Sequence, residues 1–581
     1  MRSSSPKKRA PAATTALRLL HSGPFWVTLA CLPGVILFLN RFLIPDLSSD
    51  TVTYHLLNGA RGLHNPLVPF APSEFFPVGI MSINPIYDAV NFVLRELLGY
   101  RLGTILSLAA LCGIVVVLYK LLRLILDEQH KKFNAWWGLL LVNAGIVLEL
   151  GFQVATYYVD ILNALLVLLV FYWILRLALR KTTQPPGLLQ WSLVSLVLGG
   201  LIMLKLTNIG LVIPLFGLLA WELYAKRRVL TPKRWAQYIA CAALCLLPVA
   251  LAWAPDYAMT HNPIFPFYNA SFRSPDYANV NFTDHFGGPN LWERLVWPLA
   301  SVRHQIQLAE PHHIYNDYKF VAYWLCGILL LGLVAAKKIR LGRVQGIVLF
   351  YFLASLVFWG LLSGIGRYAV SSTALGGLVV AMLFAGDYRQ LGKGVRSGML
   401  LAGAGLCVLL VVEDWRTMHF NLNYDMSWRP TLGKNVQLHK AQVHSLFQKR
   451  LSVTPTQGRT IAQADILLNC HVNVGGWFTA LPGAGGKPIV NIIEDQLPFY
   501  AGLSNSPAYR KEVAARLRTS LPAKKTYTWV AVASDDVGPS RQSCYAAVQA
   551  RGGTVTGDQS LQSIFGFTGS HLTLLSGTIP L

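Results

Sequence analysis

About eleven apolar stretches run through residues 24–413, and between them Lys and Arg gather in short connections. A helix needs roughly 20 predominantly apolar residues to cross the hydrocarbon of a bilayer, so runs of this length and number exclude an ordinary soluble core. The basic clusters fix how the runs alternate. They are Arg2, Lys7, Lys8, Arg9 and Arg18; Lys120, Arg123, Lys131 and Lys132; Arg176, Arg180 and Lys181; Lys226, Arg227, Arg228, Lys233 and Arg234; Lys337, Lys338, Arg340 and Arg343; and Arg389, Lys393 and Arg396. Cytoplasmic loops carry such an excess, so placing every cluster inside predicts spans near 24–44, 102–124, 134–152, 161–179, 188–204, 208–224, 235–254, 318–336, 344–362, 368–386 and 397–413. The amino terminus is then inside and the carboxyl terminus outside. Several of these runs are short, which predicts tilted or broken helices around 134–160 and 186–224.

Composition agrees: 53% of residues are hydrophobic and only 13% charged, where a soluble chain carries about 25%. The net charge of +23 would fit a nucleic-acid binder if it formed one patch. It is spread over the span-flanking clusters instead, and no nucleic-acid partner is expected. The end of the first span, Phe38-Leu39-Asn40-Arg41-Phe42, has no small-residue cleavage pattern, so this span reads as a retained anchor behind a basic cytoplasmic segment 1–23.

Three segments on the predicted outer side are long enough to build structure: 45–100, 255–317 and the tail 414–581. The first ends in Ile86 to Leu98, an apolar-charged stretch that fits an amphipathic helix along the membrane surface. In the tail, Ile466-Leu467-Leu468, Pro488 to Ile493 and Thr528 to Val532 read as short buried strands, and Val436 to Leu451, Glu512 to Leu521 and Cys544 to Arg551 as helices. The expected fold is therefore a polytopic α-helical membrane domain, 24–413, followed by a small α/β domain on the outer side. Cys470 and Cys544 lie outside the predicted spans; they are a disulfide or two free thiols, and spacing alone does not choose.

Ionisable residues outside the basic clusters carry the functional signal. Asp50, Asp88, Asp160, Lys205, Glu310 and Arg367 border the spans on one predicted side. Bringing a charge to membrane depth costs roughly 2.5–3.5 kcal/mol on insertion scales, so charges gathered from distant segments point to one shared site. Just past the first span, in Pro45-Asp46-Leu47-Ser48-Ser49-Asp50-Thr51-Val52-Thr53-Tyr54-His55, a carboxylate at the membrane boundary can accept a hydroxyl proton. Two acids at a helix end also serve as interfacial solubilisers.

The pattern Asp50-x-x-x-Tyr54-His55-x-x-Asn58-Gly59, with Asn84-Pro85-x-x-Asp88 after it, resembles the first outer loop of bacterial multi-span glycosyltransferases of the GT-C superfamily. Asn262-Pro263-Ile264-Phe265-Pro266-Phe267-Tyr268-Asn269, with Phe272-Arg273-Ser274-Pro275 and Asn281-Phe282-x-Asp284, is similar to a later loop of the same proteins, and is the most specific part of the match. Tyr157-Tyr158-Val159-Asp160, Lys205-Leu206-Thr207-Asn208 and Gly366-Arg367-Tyr368 are shorter matches; together they cover roughly residues 25–390. Two positions depart from the family pattern. His261 stands where a Gly precedes the Asn-Pro, and Asp317-Tyr318-Lys319 where the pattern is Asp-x-Arg; no role is carried over to His261 or Lys319.

The resemblance implies sugar transfer at the outer leaflet of a bacterial inner membrane, from a polyprenyl-phosphate sugar donor to a lipid or glycan acceptor. Asp50 is the implied general base. Lys205 and Arg367, with Arg303 next in line, are candidates for the donor phosphate. Tyr54, His55, Asp88, Asp160, Asn262 and Glu310 are candidates for substrate contacts. Asp160 and Glu310 have three alternatives: holding the acceptor, binding a divalent cation with Asp50, or forming ion pairs that only organise the fold. No metal site is assigned, because His312-His313 has no ligand spacing around it.

Other features are weaker on context. Gly483-Ala484-Gly485-Gly486-Lys487-Pro488 lacks the Ser/Thr and the following helix of a phosphate loop, and reads as a turn. Tyr54, Tyr157, Tyr158, Trp297, Trp324 and Trp415 lie near predicted interfaces, where an aromatic belt is the first reading and sugar stacking the second, with Tyr54 the exception. A transporter or flippase of a lipid-linked saccharide is the alternative function. Transporters tend to show internal repeats and midplane charges, whereas here no repeat stands out and the charges sit at one face.

Overall fold

The structure, a computed structural model, describes residues 21–41, 55, 59, 86–99, 102–145, 153–154, 156–179, 187–264, 267–274, 290–304, 318–384, 393–426, 453–470, 481, 483–484, 487–492, 521–522, 524–534, 540–560 and 572–580. Its first part is helical: α1 (Gly23–Arg41), α2 (Ile86–Leu98), α3 (Ile105–Glu128), α4 (Ala135–Gly145), α5 (Asp160–Ala178), α6 (Leu188–Leu204), α7 (Ile209–Ala225), α8 (Pro232–Ala243) and α9 (Leu246–Thr260). Short helices α10 (Asn269–Phe272), α11 (Leu291–Leu295) and α12 (Trp297–His304) lead to α13 (Tyr318–Ala335), α14 (Arg343–Leu362), α15 (Val370–Phe384) and α16 (Lys393–Met426).

By length and composition, six helical segments among the described residues can cross a membrane: Ile105–Glu128, Asp160–Ala178, Leu206–Ala225, Pro232–Ala258, Arg343–Leu362 and Gly366–Phe384. Four shorter apolar helices, Gly23–Leu39, Leu188–Leu204, Lys319–Ala335 and Ser397–Val412, fall on other predicted spans. The chain is thus a multi-pass helical membrane protein. In the predicted span 134–152, only α4 is described as helix.

A helix that is apolar all round belongs in the middle of a bundle. α15 meets that criterion, with every residue from Val370 to Leu383 buried. Polar stitches run between the helices: Asn143 of α4 donates to the Cys407 carbonyl of α16 (3.0 Å), and the Tyr323 hydroxyl of α13 donates to Asn143 Oδ1 (2.6 Å). The predicted span 235–254 is two helices. Pro248 cannot donate to the Leu244 carbonyl and its ring crowds that carbonyl, so the ladder gives way at Leu244 and Cys245. There the bonds become Leu244 N–H to Cys241 (3.2 Å) and Cys245 N–H to Ala242 (3.1 Å). Gly199 of α6 packs on the Cys245 carbonyl so closely that a Cβ there would clash.

The two ends of the bundle differ in kind. At one end Glu128, closing α3, accepts from the first-turn Val344 N–H of α14 (3.0 Å), Arg343 pairs with Glu222 of α7 (2.8 Å), and Lys226 donates to the Leu177 carbonyl that ends α5 (3.3 Å). Each contact sets a charge against the helix end that favours it or against a counter-charge. These helix ends carry or adjoin the sequence's basic clusters. The other end, where α5 and α15 begin and α6 and α14 finish, holds Asp160, Lys205 and Arg367.

The carboxyl-terminal part holds α17 (Pro455–Gln463), β1 (Ile466–Asn469), β2 (Ile489–Asn491), β3 (Tyr527–Ser534), α18 (Ser540–Gln549), β4 (Thr554–Ser560) and β5 (Leu572–Ile579). The sheet order is β2-β1-β3-β5-β4, parallel across β2-β1-β3 and antiparallel across β3-β5-β4. β1, β2 and β3 fall on the three predicted strands; the expected helices at 436–451 and 512–521 lie outside the described residues. Cys470 and Cys544 form a disulfide that ties the end of β1 to α18. Lys487 donates to the carbonyls of Ala462 and Ala464 and leads into β2, and the Ala484 N–H donates to the Leu481 carbonyl (3.2 Å) in a turn; Gly485 and Gly486 lie outside the described residues.

Candidate functional site

The site begins where α6 breaks. The Leu201 carbonyl accepts both the Lys205 N–H (3.1 Å) and the folded-back side-chain amide of Asn208 (2.7 Å), and Lys205 itself is extended. Its ammonium then reaches Asp160, the first residue of α5, at 2.8 Å. A carboxylate at a helix amino terminus is favoured by the peptide dipoles. The same ammonium lies 3.6 Å from the centroid of the Tyr368 ring, a short cation–π contact.

Arg367 is presented by the tight turn Gly366–Ala369 between α14 and α15. Two indoles hold the approach to that turn: Trp297 donates to the Gly364 carbonyl (2.8 Å) and Trp359 to the Ile365 carbonyl (2.6 Å). The Arg367 guanidinium sits 4.7 Å from the Tyr158 ring centroid and 5.4 Å from that of Tyr368. Tyr158 is offered by a turn in which Thr156 donates its hydroxyl to the Gln153 carbonyl (2.7 Å) and accepts the Tyr158 N–H (3.3 Å).

Tyr158 also meets His55, the two rings edge-to-face at 5.7 Å. His55 Nδ1 and Asp88 Oδ1 are 2.7 Å apart, and both side chains are buried. Asp88 lies on the inward face of the amphipathic helix α2, which the sequence placed at these same residues. Gly59 explains how the loop is held there: a Cβ would come within 2.7 Å of the Asp88 carbonyl oxygen and 2.8 Å of Phe92 Cβ. Burial pushes the neighbouring Tyr87 phenol up to about 12; the Asn91 amide opposes the shift, and the Asp88 and Asp160 carboxylates add to it. Both acids therefore act on one buried hydroxyl.

His55, Asp88, Asp160, Lys205 and Arg367, drawn from five segments, thus form one continuous set of contacts through Tyr158 and Tyr368. Asp50, Tyr54 and Glu310 lie outside the described residues, and Arg303 falls on α12 with its side chain outside them. Asn262 is buried in its own loop: its amide donates to the Phe267 carbonyl (3.0 Å) and more distantly to Asn269 Oδ1 (3.4 Å), while its Oδ1 accepts the Ile264 N–H (3.1 Å). Asn262 thus bonds within its own segment, to Ile264, Phe267 and Asn269, while Phe265 and Pro266 lie outside the described residues. Among the described residues, no group of three or more His, Cys, Asp or Glu is placed to hold a metal ion.

Sequence patterning under-weighted the aromatics. Tyr157, Tyr158 and Trp297 are buried, so the interfacial-belt assignment fails for them. Tyr158 is a face for the Arg367 cation, and Trp297 braces the Arg367 turn. Their adjacency to Asp160 and to the Gly366-Arg367-Tyr368 turn was the available signal. Gln153 and Asn163 were not anticipated at all. Both are buried, and neither side-chain amide, nor Asp160 Oδ2, has a protein hydrogen-bond partner among the described residues. Leaving such a group unmatched costs about 1–3 kcal/mol, more when it is charged.

No protein-family model and no curated protein matches the chain. Among solved structures it is similar to the crystal structure of ArnT from Cupriavidus metallidurans bound to undecaprenyl phosphate, with a TM-score of 0.46 and 12% sequence identity over 95% of this chain and 98% of that one.

Proposed function

We propose that the chain is a membrane glycosyltransferase of the GT-C type. It moves a sugar from a polyprenyl-phosphate donor to an envelope lipid, polysaccharide or lipid-linked acceptor at the outer leaflet. The observation that carries this is the juxtaposition of two cations, Lys205 and Arg367, with the acids Asp88 and Asp160 and the imidazole of His55 at one end of an apolar bundle. Direct displacement at the anomeric carbon needs three things: a base for the acceptor hydroxyl, positive charge for the departing phosphate, and an apolar route for the lipid chain.

In this scheme the acceptor oxygen attacks the anomeric carbon as Asp50 takes its proton, and the carbon–oxygen bond to phosphate breaks with its electron pair on the phosphate, inverting the centre. Lys205 and Arg367, assisted by Arg303, receive the developing charge through charge-assisted hydrogen bonds. Tyr54, His55 and Glu310 shape the sugar-binding surface, Asp88 and Asp160 orient His55 and Lys205 from beneath it, Asn262 organises its own loop, and the unmatched amides of Gln153 and Asn163 suit hydroxyls that both donate and accept. The amino terminus is cytoplasmic and the carboxyl-terminal sheet lies outside.

Mass spectrometry of envelope glycans and lipids from cells with and without the protein tests this. A sugar missing from the finished glycan supports transfer. The same sugar accumulating on an inward-facing lipid carrier supports a flippase instead.

A further inference from the structure

His55 shares the Tyr158 ring with Arg367, and the sugar-transfer scheme leaves the acid–base chemistry of its imidazole unused. It is held at Nδ1 by Asp88 at 2.7 Å, edge-on to Tyr158, whose ring carries the Arg367 guanidinium 4.7 Å from its centroid. Gly59, four residues on, packs on the Asp88 carbonyl with no room for a Cβ. A carboxylate bonded to Nδ1 sets the ring's orientation and leaves Nε2 as the nitrogen that exchanges protons with a substrate.

The leaving group has a matching need. A sugar phosphodiester carries one negative charge, whereas the monoester released from it gains a second, with a second pKa of about 6. An imidazole titrates near 6.5 when unperturbed, so a proton passes between the two at little free-energy cost. We infer that His55, oriented by Asp88, gives the proton on Nε2 to the oxygen of the departing phosphate. This rests on the reading that a phosphate departs at this site. As the bond from anomeric carbon to phosphate oxygen breaks, its electron pair stays on that oxygen and takes the Nε2 proton. His55 becomes neutral with Nδ1–H still on Asp88, and Asp50 holds the acceptor's proton until both groups re-equilibrate with water. Among the described residues, the titratable and charged groups at His55 include Asp88, Tyr158 and, on that ring, Arg367, with Tyr87 beside Asp88.

The test uses the full-length protein in liposomes with a polyprenyl monophosphate as probe. Its affinity is measured from pH 5.5 to 8.5 for the parent, His55→Gln and the near-isosteric Asp88→Asn, with thermal unfolding as control, and sugar transfer is followed over the same range. The parent should bind the monophosphate about tenfold more weakly at the top of the range than at the bottom. His55→Gln should be flat, and Asp88→Asn should move the limb to lower pH. In transfer, His55→Gln should lose roughly 10²-fold in kcat with little change in KM, along with the high-pH limb. A limb that persists in His55→Gln, or one of opposite sign that marks His55 as a base, overturns the inference. A His55-dependent binding limb in a protein that transfers no sugar removes the glycosyltransferase reading and the proton donation with it, whereas sugar transfer without that limb removes the proton donation alone.

Discussion

Lys205 Nζ lies 2.8 Å from Asp160 Oδ1, joining the end of α6 to the start of α5. The Asp160 side chain is 3% exposed and that of Lys205 21%, so the pair is asymmetric: the ammonium keeps access to a ligand while the carboxylate does not. A buried pair broken on one side is destabilised by about 3–5 kcal/mol, and partial exposure of Lys205 puts this pair at the lower end. Lys205→Ala is therefore expected to lower both thermal stability and sugar transfer. The double variant Lys205→Met/Asp160→Leu should recover the stability and leave transfer low. Parental transfer in the double variant would make the pair an organiser of the fold only.

Topology gives a second prediction. Lys226 meets the last turn of α5, and Arg343 meets Glu222, so the connections after α7 and α13 share the end opposite Lys205. Reporters fused after Arg228 and Lys338 should read as cytoplasmic, and reporters in 270–300 or after Trp415 as external. An internal signal for 270–300 would separate Glu310 from Lys205 and Arg367.

His261 closes α9 in the left-handed region, with φ at 56°. Such a conformation costs a side-chain-bearing residue roughly 1–2 kcal/mol, and the similar family pattern has Gly at this place. His261→Gly should raise the unfolding temperature and leave transfer unchanged, because the imidazole is exposed and packs edge-on against Tyr257. A lower unfolding temperature would show that this packing outweighs the strain.

Much of this architecture was legible in the sequence, because long apolar runs and basic clusters act through composition and need no partner. The amphipathic helix α2 and the strands β1 to β3 were equally readable from periodicity. The break at Cys245 depends on Pro248, which span counting passes over. Strands β4 and β5 escaped because Thr-Val-Thr-Gly-Asp-Gln-Ser is polar and bulged between Val555 and Gly557, so its pairing with β5 is a tertiary fact. In the site, the acids and cations announced themselves by their cost at membrane depth. Tyr158, Trp297 and Asn163 did not, since an aromatic at a helix end and an amide in a helix carry no sign of what they face.

The carboxyl-terminal sheet carries a pH signature. Burial opposes ionisation of Asp465, but the Lys524 ammonium (2.7 Å) and the Thr528 N–H and hydroxyl (2.9 and 2.8 Å) outweigh it and hold the carboxyl below its usual range. A carboxyl lowered by folding contributes stability that is complete above its unfolded value, about 3.9, and is lost as pH falls through the folded value. Stability of the carboxyl-terminal part should therefore drop as pH falls below about 4, and Asp465→Asn should flatten that slope. A slope identical in Asp465→Asn would assign the acid sensitivity to other carboxylates.

The central claim, a sugar displaced from a lipid phosphate with Asp50 as the base, is met most directly by one comparison. The parent, Asp50→Asn and Asp46→Asn are purified, reconstituted in liposomes with lipid-linked donor and acceptor extracted from cells lacking the protein, and assayed for transfer by mass spectrometry. Asp50→Asn keeps the size and hydrogen bonding of the side chain and removes its basicity, so transfer should fall roughly 10²–10⁴-fold while donor binding survives. Asp46→Asn should cost far less. Full transfer by Asp50→Asn, whether or not Asp46→Asn fails, would contradict the claim.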